Sequence, residues 1–251
     1  MFPIRDINPS RTTPLLTWGL IAANVLVFFL LQPKQESDAN DFAYRYAAIA
    51  CELTTGDVLD RPEVDPSFQT ERPCQSQPLG DPVYPDKSIT LSVLFSMFLH
   101  GGIMHLLGNM LFLYIFGNNV EDAFGKVGYL AMYVASGVIA TLGFVYLQPN
   151  STVPLVGASG AIAGVIGAYV VLYPTAKILT FFALMFIPVP AIVYVGIWFI
   201  SQFLIAGGES NVAWQAHVAG FLFGLVIALL LRVPLVRRVE AYRATRFPAL
   251  P

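Results

Sequence analysis

The chain has 251 residues, of which 56% are hydrophobic and only 12% are charged, and its formal net charge is −2. The charged fraction of an ordinary soluble domain is about 25%, so this composition indicates an integral membrane protein. The charge is close to neutral and no soluble segment interleaves basic with aromatic residues, which excludes nucleic acid as an expected partner.

Uncharged segments long enough to cross a bilayer recur along the chain. A crossing helix needs roughly 20 apolar residues, and the longest uncharged run, residues 127–176, has room for two such helices separated by Pro149 and Pro154. The predicted helices are residues 14–31, 103–118, 127–147, 158–173, 188–206 and 212–231. The sequence therefore predicts an all-α membrane protein, a six-helix transmembrane bundle in a membrane domain of residues 14–231.

The distribution of basic residues predicts the orientation of these helices, because Lys and Arg are enriched in cytoplasmic loops. In the six-helix arrangement one side receives Arg5, Arg11, Lys126, Lys177, Arg232, Arg237, Arg238, Arg243 and Arg246. Both termini are thus predicted to be cytoplasmic, as a segment of residues 1–13 and a basic tail of residues 232–251. The predicted location is the cell membrane. A signal peptide is the alternative for the first helix, but no small-x-small cleavage site follows it closely.

The extracytoplasmic loop, residues 33–99, is the one sizeable segment predicted outside the membrane. Its many prolines make long regular structure improbable. Cys51 and Cys74 are the only cysteines of the chain and both lie in this loop, on the side where oxidation is permitted. We predict a Cys51–Cys74 disulfide that restrains the loop; two free thiols are the alternative.

Polar side chains within membrane helices are costly to place there, so they are candidates for function. Helices two, four and six all enter from the extracytoplasmic side, and their first turns share one depth. These turns contain His105, Asn109, Ser159 and His217. Small residues spaced by four, at Gly160 and Gly164 in helix four and at Ala216, Gly220 and Gly224 in helix six, predict that these two helices touch.

Contact between helices four and six would bring Ser159 Oγ within hydrogen-bond range of His217, as an activated nucleophile requires. The ordered motifs Gly157-x-Ser159-Gly160, His100-x4-His105-x3-Asn109 and Ala216-His217-x-x-Gly220 resemble the rhomboid family of intramembrane serine proteases. The resemblance runs from about residue 100 to residue 231. It implies a six-helix bundle of rhomboid type in which Ser159 is the nucleophile and His217 the general base.

The resemblance also places His105 and Asn109 at positions that stabilise the oxyanion. They are four residues apart and share one helical face, from which both can donate hydrogen bonds. The backbone N–H groups of Gly157 and Ala158, at the N-terminus of helix four, are expected to assist. No Asp or Glu lies in a predicted span, so packing must orient His217, and activity should fall as His217 becomes protonated.

Two positions depart from the pattern of many rhomboid proteins. Ala163 stands where many members have an aromatic residue that stacks on the histidine, and residues 90–94 read Thr-Leu-Ser-Val-Leu where many members have Trp-Arg nearby. Glu121, after helix two, matches a family feature and is interpreted as a structural contact. We expect these departures to affect the anchoring of the extracytoplasmic loop more than they affect catalysis.

Other interpretations of the same residues stay open. Ser159 could be only a helix N-cap, and His105 and Asn109 could only join helices. His100 is interpreted as a loop or mouth residue or, alternatively, as a water or substrate contact. Gln202 and Gln215 are interpreted as packing or solvent-facing polar groups. No His-Glu-x-x-His motif is present, so neither a metal nor a cofactor is expected. The non-enzyme alternative is a catalytically silent relative that binds and escorts membrane proteins.

The expected partners are the lipid bilayer and membrane-protein substrates. A substrate helix is expected to reach the site sideways, past helix five near Trp198 and Phe199, and to unwind locally. Helix-destabilising transmembrane segments should therefore be preferred. Water is expected to arrive from the extracytoplasmic side along His100, His105 and Asn109.

Overall fold

The computed structural model describes residues 1–8, 10–60, 74, 80–205, 212–237 and 240. Helix α1, Leu15–Leu26, continues into a π-helical turn, Val27–Leu31. The further helices of the described residues are α2 Glu36–Tyr46, α3 Ala50–Thr55, α4 Ile89–Ser96, α5 Ile103–Leu147, α6 Ser159–Leu172, α7 Ala191–Ile205 and α8 Trp214–Leu230. The strands are β1 Phe2–Asp6, β2 Lys177–Phe182 and β3 Met185–Pro190. The end of the predicted fifth helix at residue 206 and most of the basic tail, 232–251, lie outside the described residues.

Apolar helices dominate this architecture. Among the described helices, α5 alone is long and apolar enough by length and composition to cross a membrane. It is accompanied by shorter apolar helices at Leu15–Leu31, Ser159–Leu172, Ala191–Leu204 and Trp214–Leu230. Gly125, with φ 72°, interrupts α5 because a left-handed backbone cannot continue a right-handed helix. The two arms correspond to the helices predicted at residues 103–118 and 127–147, although the first arm continues beyond residue 118.

A three-stranded antiparallel sheet corrects the all-α prediction. Its order is β1-β2-β3, with Phe2 opposite Phe181 and Ile178 opposite Val189. The predicted fifth helix began at residue 188, but 188–190 belong to β3 and α7 begins at Ala191. The hairpin was missed because its tight turn uses Ala183 and Leu184 at positive φ, where sequence rules look for Gly or Asn.

Asp6 joins this sheet to the helices. Its carboxylate accepts hydrogen bonds from the side-chain amide of Asn119 (2.7 Å), the hydroxyl of Tyr169 (2.7 Å) and the N–H of Asn8 (2.8 Å). Removal from solvent raises the pKa of Asp6 from its usual value, and this effect exceeds the opposing effect of the hydrogen bonds. The N-terminal strand is thus held by a carboxylate that binds its proton more tightly in the folded state.

We expect the stability of the protein to fall as the pH rises through the raised pKa of Asp6. A carboxyl group whose folded-state pKa lies above its unfolded value stabilises the fold at low pH, and this contribution is lost on ionisation. Thermal unfolding in detergent should be followed from about pH 4 to about pH 7, a range that begins near the pKa of an unfolded carboxyl group. Over this range the unfolding temperature of Asp6→Asn should depend less on pH than that of the wild type. Asp81→Asn, at an exposed position, should retain the wild-type dependence. Equal pH dependence in wild type and Asp6→Asn would contradict the expectation.

Glu121 has the structural role predicted for it. The side chain is 2% exposed and accepts hydrogen bonds from the N–H groups of Leu16 (3.1 Å) and Thr17 (2.8 Å) and from the Thr17 hydroxyl (2.8 Å). A carboxylate at this place satisfies the unpaired N–H groups of the first turn of α1 and complements the helix dipole. Glu121 therefore fixes the start of α1 against α5.

Helices α6 and α8 approach each other through glycines. A Cβ added to Gly224 would overlap the carbonyl group of Gly164, with the carbonyl carbon only 2.5 Å away and Cα 2.7 Å away. A Cβ on Gly220 would lie 3.0 Å from the carbonyl carbon of Gly160. The predicted contact between these helices is confirmed, and it depends on residues that have no side chain.

The segment predicted to lie outside the membrane, residues 33–99 and called the outer loop below, contains more regular structure than predicted. Helices α2, α3 and α4 all lie within residues 33–99, whereas Pro62, Pro66, Pro73 and Pro78 lie outside the described residues. Cys51 and Cys74 are paired as a disulfide with a Cα–Cα distance of 5.3 Å. The N–H of Cys51 donates to the carbonyl of Ser151 (3.0 Å), and the N–H of Leu155 donates to the carbonyl of Ala48 (2.8 Å). The loop is thereby attached to the segment that precedes α6.

Candidate active site

Ser159 and His217 lie at the N-terminal ends of two adjoining helices. Ser159 is the first residue of α6, and His217 lies in the first turn of α8. Because the glycine contacts bring these helices together, Ser159 Oγ lies 2.8 Å from His217 Nε2, across 58 residues of sequence. This distance is a normal hydrogen bond.

The second ring nitrogen of His217 contacts a residue that the sequence analysis interpreted as a packing or solvent-facing group. Gln202, on α7, places its Oε1 2.7 Å from His217 Nδ1. The amide nitrogen of Gln202 donates to the carbonyl of Trp198 (3.1 Å) and contacts Ser201 Oγ (3.3 Å). Since a backbone carbonyl can only accept, Oε1 must face the imidazole and accept from Nδ1–H. His217 Nε2 is then left free to accept the hydroxyl proton of Ser159.

Trp198 provides an aromatic neighbour for His217. The two rings are 6.4 Å apart between centroids, with an interplanar angle of 33°, which lies within the range of aromatic pairs. Ala163 is fully buried and offers no ring. The ring beside His217 therefore comes from α7 and not from position 163 of α6.

Phe199 packs beside this group. Its ring lies 4.6 Å from that of Phe221 on α8 and 5.4 Å from that of Phe203. Trp198 also contacts Phe221, at 6.0 Å. The aromatic side chains of α7 thus form its contact with α8 directly beside the Ser159–His217 pair.

Gly157 allows His105 to approach the serine. Its φ is +128°, and a Cβ there would lie 2.8 Å from His105 Cε1, 2.9 Å from His105 Nε2 and 3.4 Å from Ser159 Oγ. The N–H of Gly157 donates to the carbonyl of Ser96 at 2.9 Å. The prediction that this N–H faces a reacting carbonyl therefore does not fit the structure. Gly157 instead holds the loop before α6 and leaves space for the imidazole.

Asn109 and His100 are buried with unused hydrogen-bonding atoms. Asn109 is 7% exposed, and its Nδ2 has no hydrogen-bond partner among the described residues. His100 is 3% exposed, and within the same residues neither of its ring nitrogens has a partner. Its ring lies 5.2 Å from that of His105. A buried donor without an acceptor is costly, so the Nδ2 of Asn109 has, among the described residues, an unused capacity to donate a hydrogen bond.

A cavity of about 1310 Å³ lies beside the Ser159–His217 pair. It is lined by His100, His105, Gly157, Ser159 and His217 and reaches Tyr44 of the outer-loop helix α2. A volume of this size holds many water molecules as well as part of a peptide. In the described part of the chain, no cluster of three or more His, Cys, Asp or Glu residues could hold a metal ion. The cavity therefore connects the Ser159–His217 pair with the outer loop.

Comparison with known proteins places the chain in a family. The sequence profile of the Rhomboid domain matches residues 88–234, which is more than half of the chain and includes Ser159 and His217. The chain belongs to the rhomboid family. Rhomboid proteins are helical membrane proteins that act in general as serine proteases on membrane proteins, so this chain is an integral membrane protein of that family.

Individual relatives support the same family. The chain is similar to Rhomboid protease AarA of Providencia stuartii, with 34% identity over 154 residues that cover 53% of each protein. It is 29% identical over 147 residues to Rhomboid protein 1, mitochondrial, of Saccharomyces cerevisiae, covering 54% of this chain and 40% of the relative. RHOMBOID-like protein 12, mitochondrial, of Arabidopsis thaliana is also 29% identical over 147 residues, 51% of this chain and 43% of the relative. The chain thus spans about half the length of these relatives or less.

Proposed function

We propose that this rhomboid protein is an intramembrane serine endopeptidase that cleaves transmembrane segments with a Ser159–His217 dyad. The observation that carries the proposal is the 2.8 Å contact between Ser159 Oγ and His217 Nε2. Serine is a weak nucleophile until an adjacent base accepts its proton, and the neutral Nε2 of His217 is that base. The cavity beside the pair supplies space for substrate and water.

The reaction follows from the positions of these atoms. His217 Nε2 takes the hydroxyl proton as Ser159 Oγ attacks the substrate carbonyl, and the protonated imidazole then gives that proton to the departing amine. His217 next removes a proton from a water molecule, which hydrolyses the acyl-enzyme and restores the serine. The cavity reaches both residues, so water has a path to them.

We propose that His105, Asn109 and the first turn of α6 stabilise the oxyanion. His105 Nε2 lies close to the serine side of Gly157, and Asn109 has a buried amide donor without a partner among the described residues. The first N–H groups of α6, next to Ala158, have no intrahelical acceptor and carry the positive end of the helix dipole. Together these donors would balance the charge that develops on the carbonyl oxygen.

The proposed topology has six crossings with both termini in the cytoplasm, in the cell membrane. Its crossings are α1, the two arms of α5, α6, α7 and α8. In this orientation the cavity and the Cys51–Cys74 disulfide face the extracytoplasmic side, which fits both the supply of water and an oxidising environment.

We propose that substrates are single membrane helices that reach the dyad past α7, beside Trp198 and Phe199. A peptide bond within a helix is shielded by its own hydrogen bonds, so the segment must unwind before its carbonyl meets Ser159. Residues that weaken a helix, such as Gly and Pro, should therefore increase the cleavage rate.

The alternative function is that of a catalytically silent relative that binds and escorts membrane proteins. It is tested by reconstituting the protein in liposomes with a single-span substrate that carries Gly and Pro near its outer end. We expect two products whose masses locate one cleavage within the membrane segment, and slower cleavage when Leu replaces the Gly and Pro. Co-purification of intact substrate without any product would support the silent binder and contradict the proposal.

A further inference from the structure

We propose that Gln202 is a positioning residue that selects the tautomer and ring orientation of His217. This inference rests on the proposed function, since it concerns the base of the same dyad. Gln202 and His217 lie on different helices, α7 and α8, and their contact, 2.7 Å between Oε1 and Nδ1, is as short as the 2.8 Å contact between His217 and Ser159. The imidazole is therefore held at both nitrogens, by the nucleophile on one side and by a neutral amide on the other.

The amide of Gln202 is itself oriented by its surroundings. Gln202 is 4% exposed, and its nitrogen donates to the carbonyl of Trp198, one turn earlier on α7. A flipped amide would set its oxygen against the carbonyl oxygen of Trp198 and lose that hydrogen bond, and its N–H could then face only an unprotonated Nδ1. The contact with Trp198 therefore keeps Oε1 facing His217.

Charged residues do not provide this orientation. Helices α6, α7 and α8 contain no Asp, Glu, Lys or Arg, and His105 of α5 is a titratable side chain that lines the same cavity as His217. Ala163 supplies no ring, and the Trp198 ring packs beside His217 but does not accept the hydrogen bond at Nδ1, which goes to Gln202. An acceptor at Nδ1 is thus the directional contact that fixes the proton on Nδ1 and leaves Nε2 able to act as base.

Substitution of Gln202 separates this role from a merely structural one. Gln202→Leu keeps the approximate size and removes the acceptor, whereas Gln202→Glu keeps an acceptor oxygen. We expect Gln202→Leu to lower kcat about 10- to 100-fold with little change in KM, the fold-change equivalent of one lost buried hydrogen bond. Gln202→Glu should recover activity relative to Leu and move the acid limb of the pH–rate profile to higher pH, because a carboxylate favours the imidazolium. Ile200→Ala, at an exposed position of the same helix, should retain wild-type kcat.

A spectroscopic measurement tests the proposal without turnover. The chain has three histidines, so ¹⁵N-histidine labelling of the full-length protein in liposomes gives few signals, and His217→Ala assigns the one that disappears. We expect His217 to be the Nδ1–H tautomer in the wild type and a mixture of tautomers in Gln202→Leu. An Nε2–H tautomer in the wild type, or an unchanged tautomer and kcat in Gln202→Leu, would overturn the proposal. A wild type without proteolytic activity would instead overturn the proposed function, and the tautomer measurement would still decide the role of Gln202.

Discussion

Ser159→Ala and His217→Ala should each reduce cleavage of a membrane substrate by about 10³-fold or more, the scale on which members of such a catalytic unit act. Without the Ser159 hydroxyl no acyl-enzyme can form, and without His217 the hydroxyl keeps its proton. Because the two residues act as one unit, the double variant should be no slower than either single variant. Initial rates in liposomes with a fluorescent single-span substrate measure all three variants.

The control for these variants is Ser37→Ala, at an exposed position on the outer-loop helix α2, which should retain the wild-type rate. Thermal unfolding of each variant shows whether the fold is retained. Cleavage by folded Ser159→Ala at more than about a tenth of the wild-type rate is incompatible with Ser159 as the nucleophile, since loss of the nucleophile removes the covalent route altogether.

Gly224→Ala is expected to lower both stability and activity. The added methyl group would overlap the carbonyl group of Gly164, 2.5 Å from its carbon atom, and neither backbone can move without separating α6 from α8. Overpacking of this kind costs about 1–3 kcal/mol of unfolding free energy. Because the same contact sets the distance between Ser159 and His217, the cleavage rate should fall with it.

Gly196→Ala is the matched control, since a Cβ on Gly196 of α7 meets nothing within 4 Å. This variant should be as stable as the wild type or slightly more stable, because Ala favours a helix over Gly by about 1 kcal/mol. Equilibrium unfolding in mixed micelles compares the two substitutions. Equal unfolding free energies for both variants would show that α6 and α8 do not depend on their glycine contact.

The pairing of Ser159 with His217 could be predicted because it rests on strong local signals. A polar residue within an apolar helix is rare, and the small residues at Gly160, Gly164, Gly220 and Gly224 indicate which helices touch. Both signals can be read from spacing along single helices, and the structure confirms the predicted contact between α6 and α8.

Other contacts depend on distant segments and had no such signal. Strand β1 forms by pairing with β2, where Phe2 lies opposite Phe181, and nothing in residues 1–13 alone favours a strand. The position of Gln202 beside His217 depends on the rotation of α7, for which an apolar helix without charged residues gives no periodicity. The hydrogen bond from the N–H of Gly157 to the carbonyl of Ser96 likewise depends on how the loop before α6 packs against α4.

These misses have a common physical cause, which bears on the site. In an apolar helix surrounded by lipid and other helices, the hydrophobic pattern no longer distinguishes one face from another. Specific polar contacts, such as those of Gln202 and Glu121, then determine how each helix is rotated. Polar residues that are difficult to interpret in the sequence are therefore among those that define the geometry.

Labelling with a fluorophosphonate tests most directly whether Ser159 is a nucleophile activated by His217. The wild-type protein in liposomes should gain one phosphonate group, which peptide mass spectrometry locates on Ser159, and labelling should be absent in Ser159→Ala and strongly slowed in His217→Ala. Wild-type protein that stays unlabelled, or labelling that proceeds equally fast without the imidazole of His217, would contradict a Ser159–His217 dyad.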